Sequence, residues 1–171
     1  MDSIASLKFL ITSLYIISFY SCKNDIKHVI PSSEPTSQEV RENYGNGQTS
    51  RLYTRVNGKI EGKMTDFYPS GALKGEKNFV TDKQDGKTTI YYESGSIKEV
   101  QYYTAGLRNS GDTIFYEDGS LQYICEFKDN IKNGYLRKWG EDGILIYEAK
   151  FAMDTLIEVG GKPVKQEIKA Q

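Results

Sequence analysis

GKTTIYYESGSI, residues 86–97, is answered 24 residues later by SGDTIFYEDGSL, residues 110–121. DFYPSGAL at 66–73 stands one period earlier and KWGEDGIL at 138–145 one period later, so that Gly71, Gly95, Gly119 and Gly143 are each 24 residues apart. A fixed period of this length marks an array in which one supersecondary unit recurs and stacks on its neighbours. Three further columns carry it: Phe67, Tyr91, Phe115 and Trp139; Leu73, Ile97, Leu121 and Leu145; Phe79, Tyr103, Phe127 and Phe151.

The turn inside the phrase fixes how the columns meet. Pro69 locks φ near −65°, which suits the second position of a type I turn, whereas a type I′ turn centred on Ser70 and Gly71 would force the serine to positive φ. A type I turn closed by Gly71 in the left-handed region, with a bulge at the glycine, is the expected hairpin. In that register Tyr68 faces Ala72 and Phe67 faces Leu73. The pairs Tyr91–Ile97, Phe115–Leu121 and Trp139–Leu145 follow, and this aromatic–aliphatic face is expected to be the core. A second, looser turn is expected at the column Gly58, Asp82, Gly106 and Asn130, residue types that tolerate left-handed backbone. Gly62, Gly86 and Gly134 follow four residues on, but the third repeat has Ser110 there and Gly111 one place later, which predicts a local bulge. The fold is therefore read as all-β, an open antiparallel β-meander of about four 24-residue hairpins over residues 51–160. Residues 161–171 are read as a flexible tail.

Thirteen tyrosines and 16 glycines against four prolines agree with strands and tight turns. The net charge of −1 argues against a nucleic-acid groove or a polybasic lipid-binding surface, which need an excess of Lys and Arg. The N-terminus is different in kind. Lys8 precedes the apolar run FLITSLYIISFY, residues 9–20, too short to span a bilayer core that needs about 20 residues, and Ser21 and Cys22 close it. Residues 1–21 have the shape of a signal peptide. Phe19-Tyr20-Ser21-Cys22 is similar to the lipobox of bacterial lipoproteins, which makes Cys22 the lipidated first residue; plain secretion and an uncleaved anchor are the alternatives. Residues 22–50, polar and without apolar periodicity, are read as a disordered tether.

The recurring phrase, carried most fully by residues 86–97 and 110–121, resembles the MORN repeat variant of bacterial secreted and lipid-anchored proteins. The resemblance spans about residues 52–159. It implies an antiparallel hairpin array without enzymatic chemistry and supplies no catalytic residue. Some members of that family are labelled antitoxins or immunity partners of secreted toxins, and others are membrane-associated or scaffolding modules.

The search for chemistry agrees with that implication. His28, the only histidine, falls in the tether, where it cannot be held rigidly against a nucleophile. Cys125 shares a column with Lys77, Gln101 and Ala149 and is read as a small buried thiol. Two Cys and one His make a metal site improbable, and no cofactor is expected. Two surfaces remain. Tyr68, Tyr92 and Tyr116 form a column that either covers the sheet or presents a binding stripe, tyrosine being enriched at interfaces; Gly140 ends it. Glu93, Glu117, Asp118, Glu141 and Asp142 give the turn tips an acidic rim, either solvated or recognising a basic partner.

The functional expectation is a non-catalytic, lipid-anchored repeat protein at the cell envelope, at the outer membrane or facing the periplasm, offering a β-sheet surface to a protein partner. Immunity against a secreted toxin is the alternative within binding. An envelope hydrolase using turn carboxylates is the alternative from another class, disfavoured because paired carboxylates must face one another across a concave site.

Overall fold

The structure is a computed structural model and describes residues 34–164. The signal peptide, Cys22, His28 and residues 165–171 lie outside them. The first strands are β1 (Ser37–Asn43), β2 (Thr49–Val56), β3 (Lys59–Phe67), β4 (Leu73–Val80), β5 (Lys83–Gln84), β6 (Gly86–Tyr91) and β7 (Ile97–Thr104). They are followed by β8 (Leu107–Arg108), β9 (Ser110–Phe115), β10 (Leu121–Lys128), β11 (Ile131–Trp139), β12 (Leu145–Ala152), β13 (Thr155–Val159) and β14 (Lys162–Pro163). All belong to one open sheet whose order follows the chain, with the short β5 and β8 beside β4 and β7. Every pairing is antiparallel.

The tip turns have the expected form. Tyr68 N–H donates to the Ala72 carbonyl at 2.8 Å, Gly71 N–H donates back to Tyr68 at 2.9 Å, and Gly71 has φ of 89°. Phe67 faces Leu73, Tyr91 faces Ile97, Phe115 faces Leu121 and Trp139 faces Leu145. The second turn is tighter than expected. Asn57 and Gly58 have φ of 51° and 81°, and Thr81–Asp82, Ala105–Gly106, Asp129–Asn130 and Met153–Asp154 repeat the pattern, which is the two-residue type I′ hairpin matched to strand twist. These turns also hold one another in line. Asp82 N–H donates to Ile60 O and the Asp82 carboxylate accepts from Ile60 N–H, an exchange repeated by Asn130 with Arg108 and by Asp154 with Lys132.

Three expectations need correcting. The polar stretch before residue 50 is not tether throughout: Ser37–Asn43 is a strand paired along its length with β2. Tyr44 and Gly47 repeat the tip, with Tyr44 N–H donating to Gln48 O and Gly47 N–H to Tyr44 O, so there are five tips. At the other end, Lys162–Pro163 pairs with β13 instead of belonging to a tail.

The core face is the third correction. The buried side chains are Tyr53, Met64, Thr88, Thr89, Asp112, Cys125 and Ala149; all but Thr89 share one face, on which the pairs Tyr53–Met64, Asp112–Cys125 and Leu136–Ala149 lie. The Phe67, Tyr91, Phe115 and Trp139 column is only half-buried, and its partners Ile97 and Leu145 are exposed. Strand alternation puts Thr88 and Tyr91 on opposite faces of β6, and Asp112 and Phe115 on opposite faces of β9. The sequence reading counted in twos through a bulge, since the register slips between Leu121 and Tyr123, and likewise between Ile90 and Tyr91 across β6 and β7. The bulge expected at Ser110 is present in every repeat: Gly62, Gly86 and Gly134 all have positive φ, and Ser110 adopts 72° itself.

Candidate functional site

The tyrosine column is turned inward by its hydroxyls. Tyr68 Oη donates to the Tyr91 carbonyl at 2.7 Å, Tyr92 to Phe115 at 2.8 Å and Tyr116 to Trp139 at 2.9 Å. Tyr44, unnoticed in the sequence, does the same to Phe67 at 2.6 Å. Each tip is thereby stapled to the next. The rings are half-buried, and Lys74 Nζ and Lys98 Nζ lie 5.6 and 5.4 Å from the ring centroids of Tyr68 and Tyr92. Little of those two tyrosines is left for a partner.

The acidic rim divides in the same way. Asp118 Oδ1 accepts from Ser120 N–H at 2.8 Å and from its hydroxyl at 2.6 Å, which holds this exposed carboxyl below its usual range. Asp142 Oδ1 accepts from Ile144 N–H at 3.0 Å. Both close their own turns in the way Asp commonly does. Glu117, Asp118 and Glu141 meet Tyr92 and Tyr116 around one shallow depression between neighbouring tips. Glu93 is exposed on its own tip. The structure brings no acidic pair to a buried concave site there.

Among the described residues one carboxylate, Asp112, is buried, and it lies inside the array. Asp112 Oδ2 meets Arg108 Nη1 at 3.1 Å, Oδ1 is buried without a partner, and burial together with Glu99 pushes the carboxyl up to about 6. Its neighbour Cys125 is 1% exposed, and burial raises its thiol above the ordinary value, the inert setting expected from the sequence. Among the described residues no group of His, Cys, Asp and Glu is arranged to hold a metal ion.

What the sequence reading missed is at the last hairpin. Ile114, Tyr116, Gln122, Tyr123, Lys138, Trp139 and Ile146 line an open hollow of about 310 Å³. Gln122 stands where the preceding repeats have Lys74 and Lys98, so no lysine covers Tyr116, and Ile146 replaces the next one. Ile144 and Ile146, 62% and 66% exposed, continue the apolar surface along β12. The chain's single tryptophan stands in its wall. A hollow with apolar and aromatic walls and a few polar groups is suited to holding a side chain of another molecule. The signal in the sequence was the column Lys74, Lys98, Gln122, Ile146, which loses its charge toward the C-terminus.

The fold is a one-sheet hairpin array with an apolar hollow at its last hairpin, which is the architecture of a repeat protein. The family model of the MORN repeat variant matches residues 60–80, 84–105 and 113–129, so these are MORN-variant repeats. Such repeats are a protein- and membrane-interaction type without enzymatic function of their own. No curated protein matches the chain. The first and last hairpins, at Tyr44 and Gly140, fall outside the matched segments.

Proposed function

We propose that this chain is a lipid-anchored, non-catalytic repeat protein of the cell envelope whose last hairpin holds a protein partner. The observation that supports it is the hollow around Tyr116, Trp139 and Ile146, where aromatic and aliphatic surface is left unfilled, while Tyr68 and Tyr92 have a lysine over their rings. The apolar run closing at Cys22 supports the anchor. Large aromatic anchors in a concave site carry a disproportionate share of binding free energy, and Trp139 is placed to be one. The test is capture from envelope extract by the full chain and by Trp139→Ala side by side. A partner retained by the wild-type chain and lost from the variant is expected; equal capture by both would remove the hollow from consideration. The anchor is tested separately by Cys22→Ser, which should move the protein out of the membrane fraction, and unchanged fractionation would refute lipidation.

A further inference from the structure

The sheet ends unevenly at β12. β13 pairs only with Ala149–Ala152, after which Gly160 and Gly161, with φ of 55° and 77°, turn the chain back on itself. Gly160 N–H donates to Glu148 O at 2.9 Å, and among the described residues no strand lies beside Leu145–Tyr147. In every earlier repeat that half of the strand is covered. Gly75 and Glu76 face Ile90 and Thr89; Glu99 and Val100 face Ile114 and Thr113; Tyr123 and Ile124 face Lys138 and Arg137. At β12 the corresponding residues are Tyr147 and Glu148, and Ile144, Leu145, Ile146 and Tyr147 are all exposed.

The opposite edge is protected. β1 presents exposed Glu39, Arg41 and Glu42, charges of the kind that discourage edge pairing, whereas Leu145–Tyr147 carries neither charge nor proline. The open edge also adjoins the hollow, since Ile146 belongs to both.

We infer that Leu145–Tyr147 is a strand-addition site, where an extended segment of a partner protein lies antiparallel along β12 and continues the ladder that runs through the array. This rests on the reading that the last hairpin binds a protein. The chemistry of the segment follows from what fills the same register inside the sheet. Ile90 lies opposite Gly75 on β4, Ile114 opposite Glu99 on β7 and Lys138 opposite Tyr123 on β10, so the partner offers a long aliphatic stem, that of isoleucine or lysine, to Tyr147, and its next residue lies beside Ile146. Main-chain bonds then supply attachment and alternate side chains supply selection. A second copy suits the site less well: its Ile90, Ile114 and Lys138 are inside its own sheet and its β1 edge is charged.

The probe is a peptide of this chain's own residues 86–93, GKTTIYYE, mixed with the full chain and followed by amide hydrogen exchange. Slowed exchange confined to Leu145–Tyr147 is expected, and Ile146→Lys should weaken binding about tenfold or more. Two further peptides are N-methylated singly, at Ile90 or at Tyr91. Adjacent amides of a strand point to opposite sides, so one methylation should abolish binding and the other spare it. Equal binding of both methylated peptides, or no binding of the parent, overturns strand addition. Loss of a captured partner from Trp139→Ala would still stand in either case. Self-association of the full chain that Ile146→Lys abolishes, with the peptide inert, would assign the edge to a second copy and likewise overturn the inference.

Discussion

The same hollow occurs twice, three repeats apart, with opposite chemistry. Near the N-terminal end it is lined by Glu42, Tyr44, Ser50, Arg51, Asp66, Phe67, Lys74 and Lys77; near the C-terminal end Ile114, Tyr116, Gln122, Tyr123, Lys138, Trp139 and Ile146 stand in the matching places. The charges lining the first pair with one another. Asp66 bonds Arg51 Nε at 2.6 Å and Lys77 Nζ at 2.8 Å; although burial opposes it, these two cations hold the carboxyl below its usual range. The second has the tyrosine and the large aromatic but no matching ion pair. A repeat array can thus keep its backbone period and change the chemistry of its surface along its length.

The largest effect that should separate the two regions is on stability. Met64, 5% exposed in the third strand, should cost about 2 to 5 kcal/mol when changed to Ala, whereas Leu145→Ala at the open edge, 45% exposed, should cost less than about 1 kcal/mol. Urea melts that rank them the other way would show the C-terminal strand to be covered in the native protein.

Acid sharpens the contrast between charges that fit and one that does not. Asp112 has a folded value of about 6 against an ordinary 3.8, so its protonated form favours the fold. Its contribution is complete below about pH 4 and is lost as pH rises through 6, on the order of 2 to 3 kcal/mol. Asp66 has the opposite sign, contributing above the ordinary value and losing that contribution as pH falls through its lowered folded value. Stability measured from pH 4 to 7 should therefore decline in the wild-type chain and much less in Asp112→Asn. An equally steep decline in that variant would place the titration elsewhere.

The staples give a smaller test. Tyr44→Phe should cost about 0.5 to 1.5 kcal/mol by removing one hydrogen bond while keeping the ring, but Gly140→Tyr should add no comparable stability, because among the described residues no sixth tip offers a carbonyl. If thermal melts show Gly140→Tyr gaining what Tyr44→Phe loses, the two ends are more alike than their pairing indicates. The smallest expected effect concerns the strand that brings Ile114 to the C-terminal hollow. Ser110→Gly should stabilise by about 1 kcal/mol, since serine occupies a left-handed conformation there, and a melt showing loss would mean that the serine side chain has a compensating role.

Much of the backbone was legible because turn chemistry is local. Pro69 and Gly71 decide the tip, and the period carries that decision to the other copies. The first hairpin escaped notice because its tip keeps Tyr44 and Gly47 but puts Asn43 and Thr49 where the other repeats have aromatic and aliphatic residues. The buried face was misassigned because a bulge changes side-chain parity without changing repeat length. The apolar hollow was harder still. Tyr68, Tyr92 and Tyr116 look alike in sequence, yet what distinguishes Tyr116 is a lysine missing from above it, and that absence is not a property of the tyrosine.

Each tyrosine staple reaches forward, to a carbonyl 23 residues nearer the C-terminus. In a chain emerging N-terminus first, every tip emerges before the carbonyl that will secure it, so the youngest hairpin is provisional until its successor arrives. Assembly therefore has a direction in time, and Gly140 marks the point at which that succession stops.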